Sequence, residues 1–479
     1  MTKRRIPLLL IVLLAIAGTV LVSREQLSAE RPVFSTAAVG WMPSAPPEQG
    51  LTETWFCPGV PATGVEDVDG AVVIANRSAD RLVGTILVFN EKSENRRLDF
   101  DVDGWATASV DLAATLPGEM VGATVEVEGG GALVEQQAFH PSGNSSAACA
   151  NATSDTWYLA DGFTVDGSLD QIVLANPYDQ TVQASLEFAT REGSRAPGSY
   201  SGLTVPARST RVIDLGAPGA GAQNEPVLAV SVSSTRGRLV VGRSQRFAGG
   251  GRLGTQVTVA SPAPRDQWWF ANGRKGPNTS DRYSIYNPTD DDVEVDTIFL
   301  GIAEAIEADP IPVPAHEVVT FEPGSVADLP EGRYAVVFAT LAEPSVVVER
   351  ATTTEADDAV ATSVVAGATP RADGHLATTW HVVQAPTTAT PEALVVYNRD
   401  NAAGTLTVSA IGASGPVPVP ALSDVPLPGP DGLLVLDLTD PLVLGRELVV
   451  QSANRIFVER AFPTGRDDLR YGAWAIPEG

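Results

Sequence analysis

"IVLANPYDQTV", residues 172–182, reads as a buried strand, a turn and the start of a second strand. Its apolar run stops at Asn176-Pro177. Proline cannot donate to a ladder, so pairing ends there and the chain crosses over. The asparagine carbonyl is placed to accept a backbone N–H two residues on, an Asx-turn. The pattern returns in "AVVIANRSADRLVGTI" from residue 71, "YSIYNPTDDDVEV" from 283 and "LVVYNRDNAAGTLTV" from 394. Its key residues, Asn76, Asn176, Asn287 and Asn398, are separated by 100, 111 and 111 residues.

Other landmarks keep the same order. About twenty residues before each asparagine stands a tryptophan: Trp55 in "TWFCPG", Trp157 in "TWYLADG", Trp268 in "QWWFANG" and Trp380 in "TTWHVVQ". After each comes an acidic strand end at Asp111, Asp214, Glu322 or Asp437, then two apolar strands around a short turn. Such order is the signature of tandem repetition. The strands are short, rich in Val, Ile, Leu, Phe and Thr, and bounded by Gly, Pro, Asn and Asp, and no 3.6-residue period runs through them. About seven strands per hundred residues matches an immunoglobulin-like sandwich, whereas a propeller blade needs only about 40 to 45 residues. The expectation is an all-β chain of tandem immunoglobulin-like β-sandwich domains in series, over residues 51–150, 151–262, 263–370 and 371–479. The shared tryptophans and asparagines serve the fold, since a catalytic residue is hardly needed four times in one turn.

The N-terminus points to the compartment. Lys3, Arg4 and Arg5 precede an uncharged, mostly apolar run from Ile6 to Val22. As helix it is about 25 Å long, at the short end of what spans a bilayer. Residues 1–23 then form a cytoplasmic basic flank and a transmembrane signal-anchor helix, residues 24–50 a linker, and the remainder lies outside the cytoplasmic membrane. A cleaved signal peptide, giving a secreted protein, is the rival reading, but "AIAG" at Ala15–Gly18 lies inside the apolar run. Cys57 and Cys149 are the only cysteines. In an oxidising compartment they pair as a disulfide across the first unit, worth on the order of 4 kcal/mol in the loop-entropy description; two buried thiols are the alternative.

A net charge of −26 argues against nucleic acid and anionic lipid surfaces as partners. Catalytic signatures are scarce. His140, His316, His375 and His381 fall without metal-ligand spacing. "GGGRLG" at Gly249–Gly254 lacks the strand–helix context of a phosphate loop. "DFDVDGW" places Asp99, Asp101 and Asp103 as in the first half of a calcium loop, but Val110 stands where a bidentate Glu belongs. A strand with Asp on its wet face, ending in an Asp-Gly turn, is the stronger reading, and "TDDDVEVD" around Asp290, Asp291, Asp292 and Asp296 reads as a solvated loop. No cofactor is implied beyond that weak calcium candidate. Glu135, Glu349 and Glu459 recur on the final strand, with Arg243 near the equivalent place in the second unit, and read as ladder or surface positions.

The signal anchor, "TWFCPG" and the repeated "W…NP…" units together resemble an actinobacterial family of exported proteins known as domain-of-unknown-function family 5719. The resemblance implies a membrane-attached extracytoplasmic protein and supplies no catalytic residues. Two functions are expected from the sequence. The first is a non-catalytic, membrane-anchored scaffold or binding protein of the cell envelope, meeting its partner through loops that differ between copies. The second is a glycan-binding or glycan-processing protein, with Trp105, Trp269 and Trp474 stacking on sugar rings.

Overall fold

The computed structural model describes residues 42–46, 51–341, 345–357, 359–370, 376–383, 392–430, 432–463 and 470–479. The signal-anchor run and most of the 24–50 linker lie outside these residues, as does His375. Among the described residues no helix is long and apolar enough to cross a membrane.

The described chain is all-β, in eight sheets that fall into four pairs. In the first unit one sheet runs Thr52–Ala62, Gly118–Glu128, Leu82–Phe89, Asn95–Val102. The other runs Thr107–Asp111, Asp69–Asn76, Ala132–Phe139, Ser145–Ala148. The same order recurs in every unit, with short extra strands on the second and fourth. Four strands therefore have an equivalent throughout. The lead strands carry the shared tryptophans: Thr52–Ala62, Thr156–Gly162, Gln267–Lys275 and Thr379–Val382. The asparagine strands are Asp69–Asn76, Leu169–Asn176, Thr279–Tyr286 and Ala393–Asn398. The charged strands are Ala132–Phe139, Val240–Phe247, Val347–Ala356 and Ile456–Pro463. The axial strands, at the edge of each sheet, are Ser145–Ala148, Gly254–Val259, Ala359–Ala366 and Arg470–Trp474.

This order differs from the immunoglobulin plan, in which the first two strands share a sheet. Here the lead strand pairs in one sheet and the asparagine strand lies in the other. Apolar residues of both sheets fill each interior: in the first unit Trp55 from the lead strand meets Val72 and Ile74 from the asparagine strand in one cluster. The Cys57–Cys149 disulfide joins the lead strand to the residue after the axial strand.

The expected series is corrected by the way the units meet. Residues Trp41–Gly479 form one compact unit, and the fourth sandwich packs on the first. A hydrogen bond crosses each successive interface near the axial strands. The Val257 amide donates to Ser145 Oγ at 3.0 Å, and the Thr362 amide to the Leu253 carbonyl at 2.7 Å. Trp474 Nε1 donates to the Ala366 carbonyl at 2.8 Å, and the Tyr471 hydroxyl to the Ser142 carbonyl at 2.9 Å. The four axial strands, which would otherwise be exposed sheet edges, cover one another, and this is the physical reason for closure. An apolar cavity of about 70 Å³ remains where they meet, with Ala148, Val257, Val365, Ala473 and Met42 in its wall. The segment around Ala45 adds a seam with the last residues: the Ala45 amide donates to the Pro477 carbonyl, and the Gly479 amide to the Ala45 carbonyl, both at 2.8 Å.

Candidate functional site

The shared asparagines and tryptophans are buried and work on the backbone. Asn176 Nδ2 donates to the carbonyls of Gln180 (2.7 Å), Val205 (3.2 Å) and Pro206 (2.8 Å), and its Oδ1 accepts from the Tyr178 amide at 3.1 Å. Asn76, Asn287 and Asn398 each donate to the carbonyl four residues on and to a second loop 26 to 30 residues on. Each also accepts from the amide two residues on. Each asparagine thus ties its turn to the loop beneath it. The indoles of Trp157, Trp268 and Trp380 donate to the carbonyls of Leu239, Val346 and Ile456. In the first unit Glu53 intervenes, taking the Trp55 indole on one oxygen and the Gly131 and Ala132 amides on the other.

The recurring glutamates are not surface positions. Glu135, Glu349 and Glu459 are fully buried, and each meets an arginine of the preceding sandwich around the ring. Arg243 Nη1 lies 3.0 Å from Glu349, Arg350 pairs with Glu459, and Arg460 Nη1 lies 3.2 Å from Glu135. Glu349 also accepts the Ala160 and Asp161 amides at 2.8 and 2.5 Å, and Glu459 the Asn272 amide at 3.0 Å. Six residues before each key asparagine stand Gly70, Asp170, Asp281 and Glu392. Arg243 also pairs with Asp170 at 3.0 Å and Arg460 with Glu392 at 3.2 Å, while Asp281 accepts from the Tyr334 and Thr352 hydroxyls. Burial lifts the Asp170 carboxyl to about 6 against the pull of Arg243. The first unit, with Gln136 and Gly70, carries neither partner. These charges are spent on joining units, and a buried pair of this kind specifies which surfaces meet more than it stabilises.

Asp99 and Asp101 lie along the extended strand Asn95–Val102, where Arg81 pairs with Asp101. The Asp290 carboxylate meets His316 at 2.9 Å, and Asp292 accepts the Ala315 amide at 2.9 Å. Among the described residues no three acidic, His or Cys groups converge as a metal site. Two of the candidate sugar platforms are interface groups. Trp269 stacks on Tyr397 and Phe457 at 5.9 and 5.5 Å, and the Trp474 indole is held by Ala366.

The remaining one, Trp105, opens onto a cleft of about 140 Å³ between the fourth and first units, lined also by Arg77, Leu133, His381, Pro416, Glu447 and Gln451. The repeat explains why a cleft exists there. One residue after each shared tryptophan stands Phe56, Tyr158, Trp269 or His381. Phe56 packs on the second unit's core, and Tyr158 and Trp269 belong to the cluster of the third and fourth units. At the last interface the aromatic plug is replaced by a smaller imidazole. Three residues before the strand partner of each tryptophan, Gly122, Ala229 and Ala335 give way to Glu447.

Glu447 and His381 are more than nine-tenths buried, and Glu447 Oε1 and His381 Nε2 have no hydrogen-bond partner among the described residues. Burial, then the charge of Glu135, pushes the Glu447 carboxyl up to about 8. Burial, then the Arg77 guanidinium, pushes the His381 imidazole down to about 3. At neutral pH both are therefore uncharged, a carboxylic acid and an imidazole ready to exchange hydrogen bonds with a neutral polar ligand. At the rim Arg77 and Glu478 stand 3.9 Å apart. Trp105 sits at φ 59°, as do Arg208 and His316 at 48° and 58° in the matching loops, so its backbone belongs to the repeat.

A family model described as a family of unknown function, DUF5719, matches residues 106–419, well over half of the chain. The chain belongs to this family. No curated protein matches this DUF5719 chain. Among solved structures, the crystal structure of Thermotoga maritima 1070 is 11% identical with a TM-score of 0.20, covering 22% of this chain and 93% of that one. A tetra-tandem repeat from the extending region of a large adhesion protein is 12% identical with a TM-score of 0.12, covering 85% and 94%.

Proposed function

We propose that this is a non-catalytic binding protein of the cell envelope of an actinobacterium, anchored in the cytoplasmic membrane by residues 1–23 with its ring outside, and that the fourth–first cleft holds its ligand. The observation that carries the reading is the break in the repeat at His381 and Glu447. Three interfaces are plugged by an aromatic ring; among the described residues the fourth is left open, with unpaired polar atoms of the side chains of His381 and Glu447 in its wall. Leaving such atoms buried and unmet costs roughly 1–3 kcal/mol each, and a ligand hydroxyl that met both would recover that. The immunoglobulin-like label applies only in the loose sense of a two-sheet sandwich.

Trp105 favours a sugar as that ligand. An indole beside uncharged hydrogen-bonding groups offers a face for a pyranose ring together with partners for its hydroxyls. Glycan-array binding and a glycan-hydrolase panel with the full-length chain test the proposal. Binding of an envelope glycan, lost in Trp105→Ala and without turnover, is the expected result. Cleavage of any glycan would overturn the non-catalytic reading, and binding indifferent to Trp105→Ala and His381→Leu would move the ligand away from this cleft.

A further inference from the structure

A second break in the repeat lies between the third and fourth units and is independent of the cleft above. A cavity of about 220 Å³ is lined by Arg274, Arg333, Arg350, Thr279, Thr354 and Ser363, and among the described residues no carboxylate stands in its wall. Arg274 and Arg333 are direct partners in the antiparallel ladder between the lead strand Gln267–Lys275 and the strand Gly332–Ala339. Like charges directly opposite on neighbouring strands are destabilising. Neither arginine has an ion-pair partner among the described residues; Arg333 reaches Asn272 instead. The Arg333 guanidinium is held below its ordinary range by burial and by the charges of Arg274 and Arg350, with Glu459 and Asp437 pulling the other way. Arg350 gives its two terminal nitrogens to Glu459, and its Nε has no hydrogen-bond partner among the described residues.

The wall between these cations is hydroxyl-bearing by register. Arg350, Thr352 and Thr354 alternate along the charged strand and so share a face, with Thr279 opposite Thr354 and Ser363 opposite Thr352. In the second unit the same places are apolar. The pairings Gly162–Leu228 and Gly273–Tyr334 are equivalent, which puts Phe163 at the place of Arg274 and Val227 at that of Arg333. Phe247 holds the place of Thr354, and the Phe163 and Phe247 rings pack 5.8 Å apart with Ala351 and Val364. One copy closes this space with two rings. The other keeps two opposed guanidinium groups and several hydroxyls around an open volume, in a chain whose net charge is −26.

We propose that this cavity binds a phosphoryl group, as inorganic phosphate or as a phosphate ester. Guanidinium forks match the paired oxygens of a phosphoryl group, hydroxyls donate to the remaining oxygen, and a dianion between Arg274 and Arg333 turns their opposition into a clamp. The open volume leaves room for the alcohol portion of an ester.

Isothermal titration of the full-length chain with inorganic phosphate, glucose 1-phosphate and glucose tests this. Saturable binding of phosphate, of glucose 1-phosphate or of both is expected, weakening as salt is raised, with no response to glucose; whichever binds more tightly separates the free anion from the ester. Arg274→Gln, at an exposed position, should weaken binding at least tenfold. Arg274→Phe with Thr354→Phe, the second unit's own pair, should abolish it with little change in melting temperature. Should the double variant misfold, the Arg274→Gln result decides alone. No binding of either phosphate compound, or binding unchanged by Arg274→Gln, would overturn the proposal. Tighter binding of acetate or glucuronate than of phosphate would overturn the phosphoryl assignment.

Discussion

Pro58 lies directly against Gly242: a Cβ added to Gly242 would stand 2.6 Å from Pro58 Cγ. These residues hold the places of Ala160 and Glu349 at the next interface, where a backbone amide meets a carboxylate. Proline has no N–H to give and glycine has no carboxylate to receive it, so both halves of the contact are absent together. The first–second interface is therefore joined by close backbone approach, and the other three by buried charge.

Gly242→Glu, which restores the residue used in the other copies, should destabilise the protein by about 1–3 kcal/mol, because the side chain has no room and no arginine to meet. Adding Pro58→Ala and Gln136→Arg should recover part of the loss. Denaturant midpoints of the three variants check this, and a neutral Gly242→Glu would contradict the packing described.

Glu459→Ala leaves Arg350 charged, buried and without its carboxylate. The expected loss is about 3–5 kcal/mol, the range for one half of a buried pair. Replacing both residues by leucine or methionine should cost much less than the single change. Equal loss in the single and double variants would show that the pair is not the relevant contact.

Asn287→Ala removes donors from the carbonyls of Asp291, Val313 and Pro314 and the acceptor of the Thr289 amide. With several buried backbone groups left unmet, the loss should be about 3 kcal/mol or more, and Asn176→Ala should match it. Thermal melts check both, and a change below about 1 kcal/mol at either site would contradict a structural role.

The fourth–first cleft should give stability an unusual pH profile. Glu447, whose carboxyl is raised to about 8, contributes stability that is complete below about pH 4.5 and is lost as pH rises toward 8. His381, lowered to about 3, contributes stability that is complete above about pH 6.5 and is lost as pH falls toward 3. Between pH 4.5 and 6.5 the two slopes oppose and roughly cancel. Glu447→Gln should remove the decline between pH 6.5 and 8, and His381→Gln the decline below 4.5. Melting temperature against pH for the three proteins reads this directly. An unchanged alkaline limb in Glu447→Gln would show that the carboxyl is not held protonated.

Much of the repeat was legible in the sequence, because its marks are local. An Asn-Pro after a β-branched run, or a tryptophan at a fixed distance before it, needs only neighbouring residues to be read. Closure was not legible, because it rests on pairs such as Arg460 and Glu135, far apart in the chain and in different copies. A signal was nonetheless present. The runs "VVVER" and "IFVER" set adjacent Glu and Arg inside apolar strands, where neighbouring residues point to opposite faces and both are charged. Reading those glutamates as ladder or surface positions missed that a sheet with two covered faces needs partners on both. The fourth–first cleft had its own signal in His381, a small polar imidazole where the other copies carry the larger rings of Phe56, Tyr158 and Trp269.

The central claim is that four sandwiches close into one ring, and small-angle X-ray scattering from residues 41–479 tests it most directly. A closed, compact particle of that length should have a radius of gyration of about 22 Å. Four separate sandwiches in a line, each of about 13 Å, would give roughly 40 Å, and that value would contradict the closure.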